Sequence, residues 1–440
     1  MAFSINGIRV PHRKDTQNKP VLRMDSPQTV VIPMSMHIGA PSVPTVKVGD
    51  EVKVGTRIAQ ESGPVSVPVY SSVSGKVAKI IDIQNHSGAP MGAIVVESDG
   101  LMTADESIAS PVIDSQESLI AAVKQSGMVG LGGAGFPTHV KLNVDPQRID
   151  YIIINGAECE PYVTSDTHTM VNRADDMEYA IGVLVKHLGV KKVIIGVESN
   201  KKKAISSMNE LCARLADKCE ASVKVLPSIY PQGGEKVLIY SATGRVVGEG
   251  KLPIDVGCIV LNCTTVASLG TYFKTGMPLV EKCVTVAGGA VKEPSNVIAP
   301  IGTRICDLFD FCGGLIASPA KVIYGGPMMG VTVPNTDLPI MKNTNAVLAL
   351  TDKEARLPKT TACIRCGACT NTCPFGLAPA AIAKAYENRS AQALTELSVN
   401  SCMECGCCSF VCPANRPLVQ TNKLSKAFLK EEKAKEGTKS

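Results

Sequence analysis

The sequence predicts a multidomain protein of mixed α/β and β class, and three observations carry that prediction. The first hundred residues alternate apolar and polar positions between glycines, as short strands do. From about Ser118 short apolar runs alternate with stretches of helical periodicity, the pattern of a parallel sheet covered by helices. Near the end, two cysteine quadruplets follow one another. A length of 440 residues leaves room for about three domains.

In the N-terminal stretch, Val46-Lys-Val-Gly-Asp-Glu-Val-Lys-Val-Gly55 and Val69-Tyr-Ser-Ser-Val-Ser-Gly75 are the clearest strand-and-turn patterns. They resemble the biotinyl/lipoyl hammerhead, which implies a barrel-sandwich hybrid. Carrier members of that family present a modifiable lysine on the hairpin between these strands. The interval Ile58–Val69 contains none, so a structural or docking domain is expected rather than a swinging arm.

The next elements are a helix over Ser118–Ser126, a buried strand at Tyr151–Ile154 and a helix over Asp175–Leu188. A second strand at Lys192–Gly196 and a helix over Lys201–Lys218 follow. Between about Leu252 and Gly330 the texture becomes β-rich, with Lys282–Ala287 as its clearest strand. Leu377–Tyr386 predicts a helix between the cysteine quadruplets. The Lys/Glu-rich stretch from Lys423 to Ser440 predicts a solvated helix or disorder.

Composition narrows the function. Apolar residues make up 45% and charged residues 19%, enough for sizeable cores. Lys+Arg number 45 against Asp+Glu 40, a net +5 spread along the chain, and aromatics are 4% without Trp. A nucleic-acid binder would show a basic stripe and stacking platforms, so no nucleic-acid partner is expected. Apolar runs fall well short of the roughly 20 residues of a membrane span. The opening MAFSINGIRVPHRK has no signal-peptide core. A cytoplasmic chain is expected, meeting any membrane through other subunits.

Of 17 cysteines, nine lie between Cys363 and Cys412. Cys363, Cys366, Cys369 and Cys373-Pro form C-x2-C-x2-C-x3-C-P, and Cys402, Cys405, Cys408 and Cys412-Pro repeat it. This is the two-cluster ferredoxin pattern, in which the fourth cysteine of each run ligates the other cluster. One [4Fe–4S] cluster is therefore assigned to Cys363, Cys366, Cys369 and Cys412, and the other to Cys402, Cys405, Cys408 and Cys373. Zinc sites usually need only four ligands in two pairs, which two Cys-Pro-terminated quadruplets do not match. Cys407 is surplus to both sets, and the other eight cysteines are scattered and read as buried small residues.

Gly130-Leu-Gly132-Gly133-Ala-Gly135-Phe-Pro137-Thr-His-Val-Lys141 contains G-x-G-x-x-G. A dinucleotide fingerprint needs a strand before it and a helix after it. Here a helix-like segment precedes the loop and Pro137 follows it, so a packing turn remains the alternative. Lys141 is spaced to reach a phosphate held on backbone N–H groups. The strand at Tyr151–Ile154 empties into Asn155-Gly-Ala-Glu158-Cys-Glu160-Pro-Tyr162. Strand ends of open α/β sheets are where ligands bind.

Gly-x-Gly-Gly-Ala-Gly-Phe-Pro-Thr-x-x-Lys followed by a strand and Asn-x-x-Glu-x-Glu-Pro resembles the flavin-bearing, NADH-oxidising subunit of respiratory complex I. That subunit ends in a single four-cysteine site. The order found here, with GLGGAGFPTHVKL, NGAECEPY and two ferredoxin motifs, resembles the RnfC family, the NADH-side subunits of ion-translocating Rnf complexes. The resemblance implies that Gly130, Gly132, Gly133 and Lys141 hold the FMN phosphate. Asn155 would contact the flavin, with Glu158 and Glu160 beside flavin and nicotinamide. Ala157 replaces an aspartate of the complex I pattern. Gly233, Gly234 and Glu235 are similar to a segment near the NADH ribose, and Asn262 and Thr265 to a later flavin-contacting segment.

The implied domains are a barrel-sandwich hybrid at 1–110, a Rossmann-like FMN/NADH-binding α/β domain at 111–251 and a β-grasp, soluble-ligand-binding domain at 252–350. A two-cluster ferredoxin-like domain at 351–420 and a charged tail at 421–440 complete the chain. The implied activity is electron exchange between NAD(H) and two [4Fe–4S] clusters through FMN. No protein acid or base is needed for it, and of the six histidines only His139, in the glycine loop, merits a test. The implied partners are the other Rnf subunits, among them an iron–sulfur subunit and membrane subunits, with ferredoxin reached through the complex. The implied location is peripheral, on the cytoplasmic face of the bacterial plasma membrane. A cobalamin reductase of bacterial microcompartments and a non-catalytic electron-transfer scaffold are the alternatives.

Overall fold

The computed structural model describes residues 6–437. Thr29–Pro33, Glu51–Val52, Gly75–Gln84 and Pro90–Ser98 form an antiparallel four-stranded sheet. Val43–Pro44, Arg57–Gln60 and Val69–Tyr70 form a three-stranded one. Strand alternation turns Val30, Ile32, Val77, Ile94 and Val96 inward with Ile58, Val67 and Val69. Gly75 is required at its corner: it has φ +147°, and a Cβ there would lie 2.0 Å from the Glu97 carbonyl oxygen. The hairpin that carries a lysine in carrier proteins docks here instead. The Pro64 carbonyl accepts from His139 Nε2 at 3.3 Å, and Tyr70 donates its hydroxyl proton to the Gln125 carbonyl.

One strand of this N-terminal stretch pairs outside the barrel's two sheets. Val21–Arg23 pairs in parallel with Ser295–Pro300, at the edge of a different sheet. Its partly exposed residues have no place in the barrel core and instead extend an edge that would otherwise lack a partner.

The second body is a four-stranded, all-parallel sheet in the order Glu220–Leu226, Lys192–Glu198, Tyr151–Gly156, Cys258–Asn262. Its interior strands are continuously apolar because helices cover both faces. These helices include Ala174–Leu188, Lys202–Arg214, Glu235–Thr243 and Cys263–Thr275. The domain boundary expected at 252 is corrected by this sheet. Cys258–Asn262 pairs along Tyr151–Asn155, and the helix that follows it packs against Ala174–Leu188. The Cys-Ile-Val-Leu run is too short and too apolar to show from sequence which sheet it joins.

Glu281–Ala287, Ser295–Pro300, Lys321–Tyr324, Val331–Thr332 and Ala346–Leu350, with Val21–Arg23, make a six-stranded mixed sheet. The helix Ile305–Phe311 packs on it through Ile305, Leu308 and Phe309.

The cysteine region is an internal two-fold repeat. Arg365 and Glu404 both have positive φ, 56° and 63°, and each is followed two residues on by a left-handed glycine, Gly367 and Gly406. One-turn helices Ala368–Asn371 and Cys407–Phe410 follow. Pro379–Glu387 and Leu418–Gly437 are the corresponding longer helices. The tail is thus neither free nor disordered over the described residues. Leu418, Asn422, Ser425 and Leu429 form a buried stripe, and Phe428 meets Tyr386 edge-on with ring centroids 6.3 Å apart. The Lys/Glu composition describes only its outer face.

Candidate functional site

In the parallel sheet the chain runs outward from Tyr151–Gly156 through two further strands and then returns to the opposite side with Cys258–Asn262. Strand order reverses there, and the crevice beyond the carboxyl ends of such strands is the physical place for a ligand. A cavity of about 400 Å³ opens at that point. Asn155 and Asn262, the ends of the two strands, line it together with the glycine loop.

The loop Gly130–Phe136 is a tight turn, closed by Gly130 N–H donating to the Phe136 carbonyl at 2.9 Å and by a bridge between Val129 and Pro137. It lies between two helices rather than between strand and helix, so it is not the ordinary dinucleotide fingerprint. Gly132 is there for space: a Cβ would sit 2.5 Å from Asn262 Nδ2. At Gly133 a Cβ would meet nothing within 4 Å, so that position faces open space. Leu131 N–H donates to Thr265 Oγ1 at 3.0 Å, and the buried Lys282 ammonium donates to the Leu131 carbonyl at 2.7 Å. Burial lowers the Lys282 pKa to about 7.

The sequence-derived residues fall into distinct roles. Asn262 caps the helix Cys263–Thr275, its Oδ1 accepting from Thr264 and Thr265 N–H, while its Nδ2 donates to Asp166 Oδ2 at 2.8 Å. Lys141 Nζ donates to Glu235 Oε1 at 2.7 Å and to the Val260 carbonyl at 3.0 Å. The phosphate-spaced lysine and the ribose-side carboxylate therefore meet at one wall, with Gly234 as the N-cap of the helix Glu235 opens. Asn155 Nδ2 donates to the Gly233 carbonyl at 2.9 Å, tying the first strand end to that second glycine segment.

The acidic pair divides. Glu158 is buried and accepts from Asp166 N–H at 2.7 Å, Thr167 Oγ1 at 2.7 Å and the fully buried Lys201 ammonium at 3.0 Å. Glu158 lines the cavity while its carboxylate is held by these internal partners. Glu160 accepts from Met328 and Met329 N–H at 3.0 and 2.7 Å, which latches the 325–330 turn of the six-stranded sheet onto the cavity. Burial raises the Glu160 pKa to about 7, against the pull of those N–H groups and of Lys14. His139 is buried against the barrel and does not line the cavity.

Several lining residues carry no sequence signal: Asp166, Tyr230, Met329, Asn345 and Met403. Burial and neighbouring Glu158 push the Asp166 pKa up. Lys14 also escapes sequence reading. Its ammonium donates to the carbonyls of Glu158 at 2.8 Å, Glu160 at 2.7 Å and Val163, and burial lowers its pKa to about 8.

These residues fit a flavin mononucleotide. Phe136, Val163, Leu261, Met329 and Met403 supply apolar walls for a ring, Asn155 and Asn345 polar edges, and Lys141 with the open glycine turn a phosphate end.

The cysteine side chains are brought near one another without converging: among the described residues no group of three or more Cys, His, Asp or Glu side chains stands close enough to hold a metal ion. Cys373, Cys402, Cys405 and Cys408 line one small cavity, drawn from both quadruplets, and the surplus Cys407 lines it with them. N–H groups of Arg365 and Glu404 reach Cys363 and Cys402 Sγ at 3.4 Å each, and Asn422 Nδ2 reaches Cys402 Sγ at 3.4 Å. Cys369 and Cys412 pack against one group made of Ala383, Cys408, Leu418 and Val419, so this packing does not by itself separate the two ligand sets. Cys407 is buried, with its thiol 3.9 Å from the Tyr230 carbonyl oxygen, and Tyr230 donates its hydroxyl to the Cys405 carbonyl at 2.7 Å. Met403 lines both cavities.

Comparison with known families matches the chain segment by segment. Residues 3–101 match the RnfC barrel sandwich hybrid domain and residues 123–271 the Nuo51 FMN-binding domain. Residues 283–332 match the SLBB domain and residues 359–416 the 4Fe-4S dicluster domain. The chain is 43% identical over 87% of its length to the RnfC protein of the Na(+)-translocating ferredoxin:NAD(+) oxidoreductase complex of Acetobacterium woodii, covering 87% of that protein. It is 42% identical over 83% of its length to the counterpart in the proton-translocating complex of Clostridium ljungdahlii, covering 80% of it. With the corresponding protein of the ion-translocating oxidoreductase complex of Rhodobacter capsulatus it shares 37% identity over 99% of its length, covering 85% of that protein. A chain of an NAD+-reducing [NiFe]-hydrogenase has the same fold over 72% of this chain and 61% of its own, with a TM-score of 0.51 at 15% identity.

Proposed function

The chain belongs to the RnfC family of ion-translocating ferredoxin:NAD+ oxidoreductase complexes, and from that premise we propose how its residues serve as the NAD(H) end of such a complex. NAD(H) enters the cavity at the sheet switch point, and electrons pass between it and the two [4Fe–4S] clusters. The ferredoxin:NAD+ oxidoreductase activity of the relatives' complexes favours this reading over a cobalamin reductase or a scaffold without redox chemistry. Bound flavin supplies the conversion between a two-electron hydride and single electrons.

The chain's own residues do the rest. The open turn at Gly133 and the Lys141 ammonium bind the phosphate, with Lys141 exchanging its Glu235 contact for it. Asn155, Asn262 and Thr265 hold the loop and strand ends in register, so the ring's edge meets fixed partners. Glu160 and the Met328–Met329 turn close the mouth of the cavity and exclude water. Lys14 braces the acidic loop from behind through its three carbonyl contacts.

One observation carries the electron route: Met403 stands in the walls of both the flavin cavity and the cavity lined by Cys373, Cys402, Cys405 and Cys408. That set is therefore the proximal cluster, and Cys363, Cys366, Cys369 and Cys412 hold the distal one. Among the described residues no helix is long and apolar enough to cross a membrane. The chain attaches to the complex's other subunits, peripherally and on the cytoplasmic face. An anaerobic visible spectrum before and after stoichiometric NADH, with flavin and iron quantified, tests the proposal. Bleaching of flavin and cluster bands together is expected. Clusters that form but stay unresponsive to NADH, with no flavin, would sink it.

A further inference from the structure

The two halves of the cysteine repeat are alike in backbone and opposite in surroundings. At the position after the first cysteine, Met403 is packed into the flavin cavity while Ile364 is 68% exposed. At the next position Glu404 is paired with Lys426 at 2.6 Å, whereas Arg365 has no ion pair among the described residues. Cys405 and Cys408 are buried, but Cys363 and Cys366 are exposed. Every residue from Arg356 to Gly367 is exposed, including Leu357 at 82%. This stretch contains Arg356, Lys359 and Arg365 and no acidic residue. It is held in place as an extended segment: Thr361 N–H donates to the Ala414 carbonyl at 2.9 Å, and Asn415 Nδ2 to the Lys359 carbonyl at 3.3 Å.

Two large apolar side chains among unopposed cations, beside exposed cluster ligands, are not explained by the fold of this chain. We propose that residues 356–366 are the docking surface for an acidic electron-accepting subunit of the complex, with Leu357 and Ile364 as its apolar contacts and Arg356, Lys359 and Arg365 meeting carboxylates. The inference rests on the electron route proposed above and names where that route leaves the chain. Each NADH oxidised yields NAD+, one proton and two electrons. The electrons leave singly across this surface, each reducing the partner's centre by one as the distal site is reoxidised. Electrostatic complementarity of this kind sets association rate and salt dependence, and the apolar centre sets the lifetime of the complex.

The test uses the full chain, loaded with flavin and clusters, and membranes stripped of this protein. Leu357→Glu and Lys359→Glu lie outside both cluster loops, and Val112→Glu is a control at a site 83% exposed on another domain. Expected are unchanged NADH:ferricyanide activity in all three. Rebinding to stripped membranes and NADH-driven electron entry into them should fall on the order of tenfold for Leu357→Glu and Lys359→Glu only. Rebinding of the unaltered chain should weaken with salt. Ile364→Glu, scored only if its iron content is normal, should behave as Leu357→Glu. Wild-type rebinding by both main variants, or equal loss in Val112→Glu, overturns the proposal. Failure of NADH:ferricyanide activity in the unaltered chain would instead count against the redox reading itself.

Discussion

Replacing Gly132 by alanine probes the cradle directly. Its Cβ would lie 2.5 Å from Asn262 Nδ2 and 2.8 Å from Asn262 Cγ, so the asparagine side chain must leave. Two interactions go with it. The cap on the helix Cys263–Thr275 is worth about 1 kcal/mol, and the hydrogen bond to buried Asp166 is worth about 1–3 kcal/mol when its partner is left unsatisfied. The sum, about 2–4 kcal/mol, corresponds to roughly 30- to 700-fold in flavin affinity if it is expressed at the site. Gly133→Ala is the counterpart: its Cβ meets no protein atom within 4 Å. It should leave the melting temperature of flavin-free protein unchanged and weaken flavin binding only by occupying the phosphate's space. Flavin titration monitored by fluorescence quenching, with iron content and thermal unfolding of the flavin-free forms, reads both variants. Flavin affinity and unfolding temperature of Gly132→Ala both equal to wild type would refute the role given to the Gly132–Asn262 contact.

Lys201→Met leaves the Glu158 carboxylate buried without its cation and should cost about 3–5 kcal/mol in urea unfolding; a loss under about 1 kcal/mol would show the pair to be dispensable. Cys405→Ser should remove the proximal cluster, lowering iron content and abolishing NADH-dependent bleaching of the remaining cluster while flavin reduction persists; persistent cluster bleaching would reverse the assigned order. Glu160 has a folded pKa raised to about 7 against a usual carboxyl value of 4.5, so between those values the unfolded state has lost a proton that the folded state retains. Stability should therefore fall as pH rises from about 4.5 to 7 by up to a few kcal/mol. Glu160→Gln should flatten that slope in denaturant titrations, and an unchanged slope would remove Glu160 as its source.

The site is legible in sequence wherever its chemistry is local. C-x2-C-x2-C is read within one turn of chain, and Gly367 and Gly406 take the left-handed conformation that such a turn requires. The glycine loop and the strand end at Asn155 likewise announce themselves over a dozen residues. Glu158 shows the limit of that reading. Its motif position places it in the cavity wall, but the lysine 43 residues away that pairs with its charge is invisible in the motif. The Cys258–Asn262 strand falls on the wrong side of the expected boundary because a short apolar run carries no mark of the sheet it will join. The tail's packing is hidden because its buried stripe includes Asn422 and Ser425, which look solvent-facing by composition.

Turn geometry and ligand spacing are properties of neighbouring residues, so the mixed fold class, the two cysteine quadruplets and the tight glycine turn are readable from the amino-acid order alone. Which cysteine quadruplet packs toward the flavin cavity, and which faces outward, is decided by tertiary packing. The backbone repeat treats its two halves alike, and their difference lies in what packs against each: Tyr230 and the flavin cavity beside Met403, open surface beside Ile364. Burial is set by contacts between segments more than a hundred residues apart, such as Tyr230 with Cys405 at a separation of 175. No local pattern encodes a contact at that range, so the order proposed for the redox sites across this chain rests on the fold.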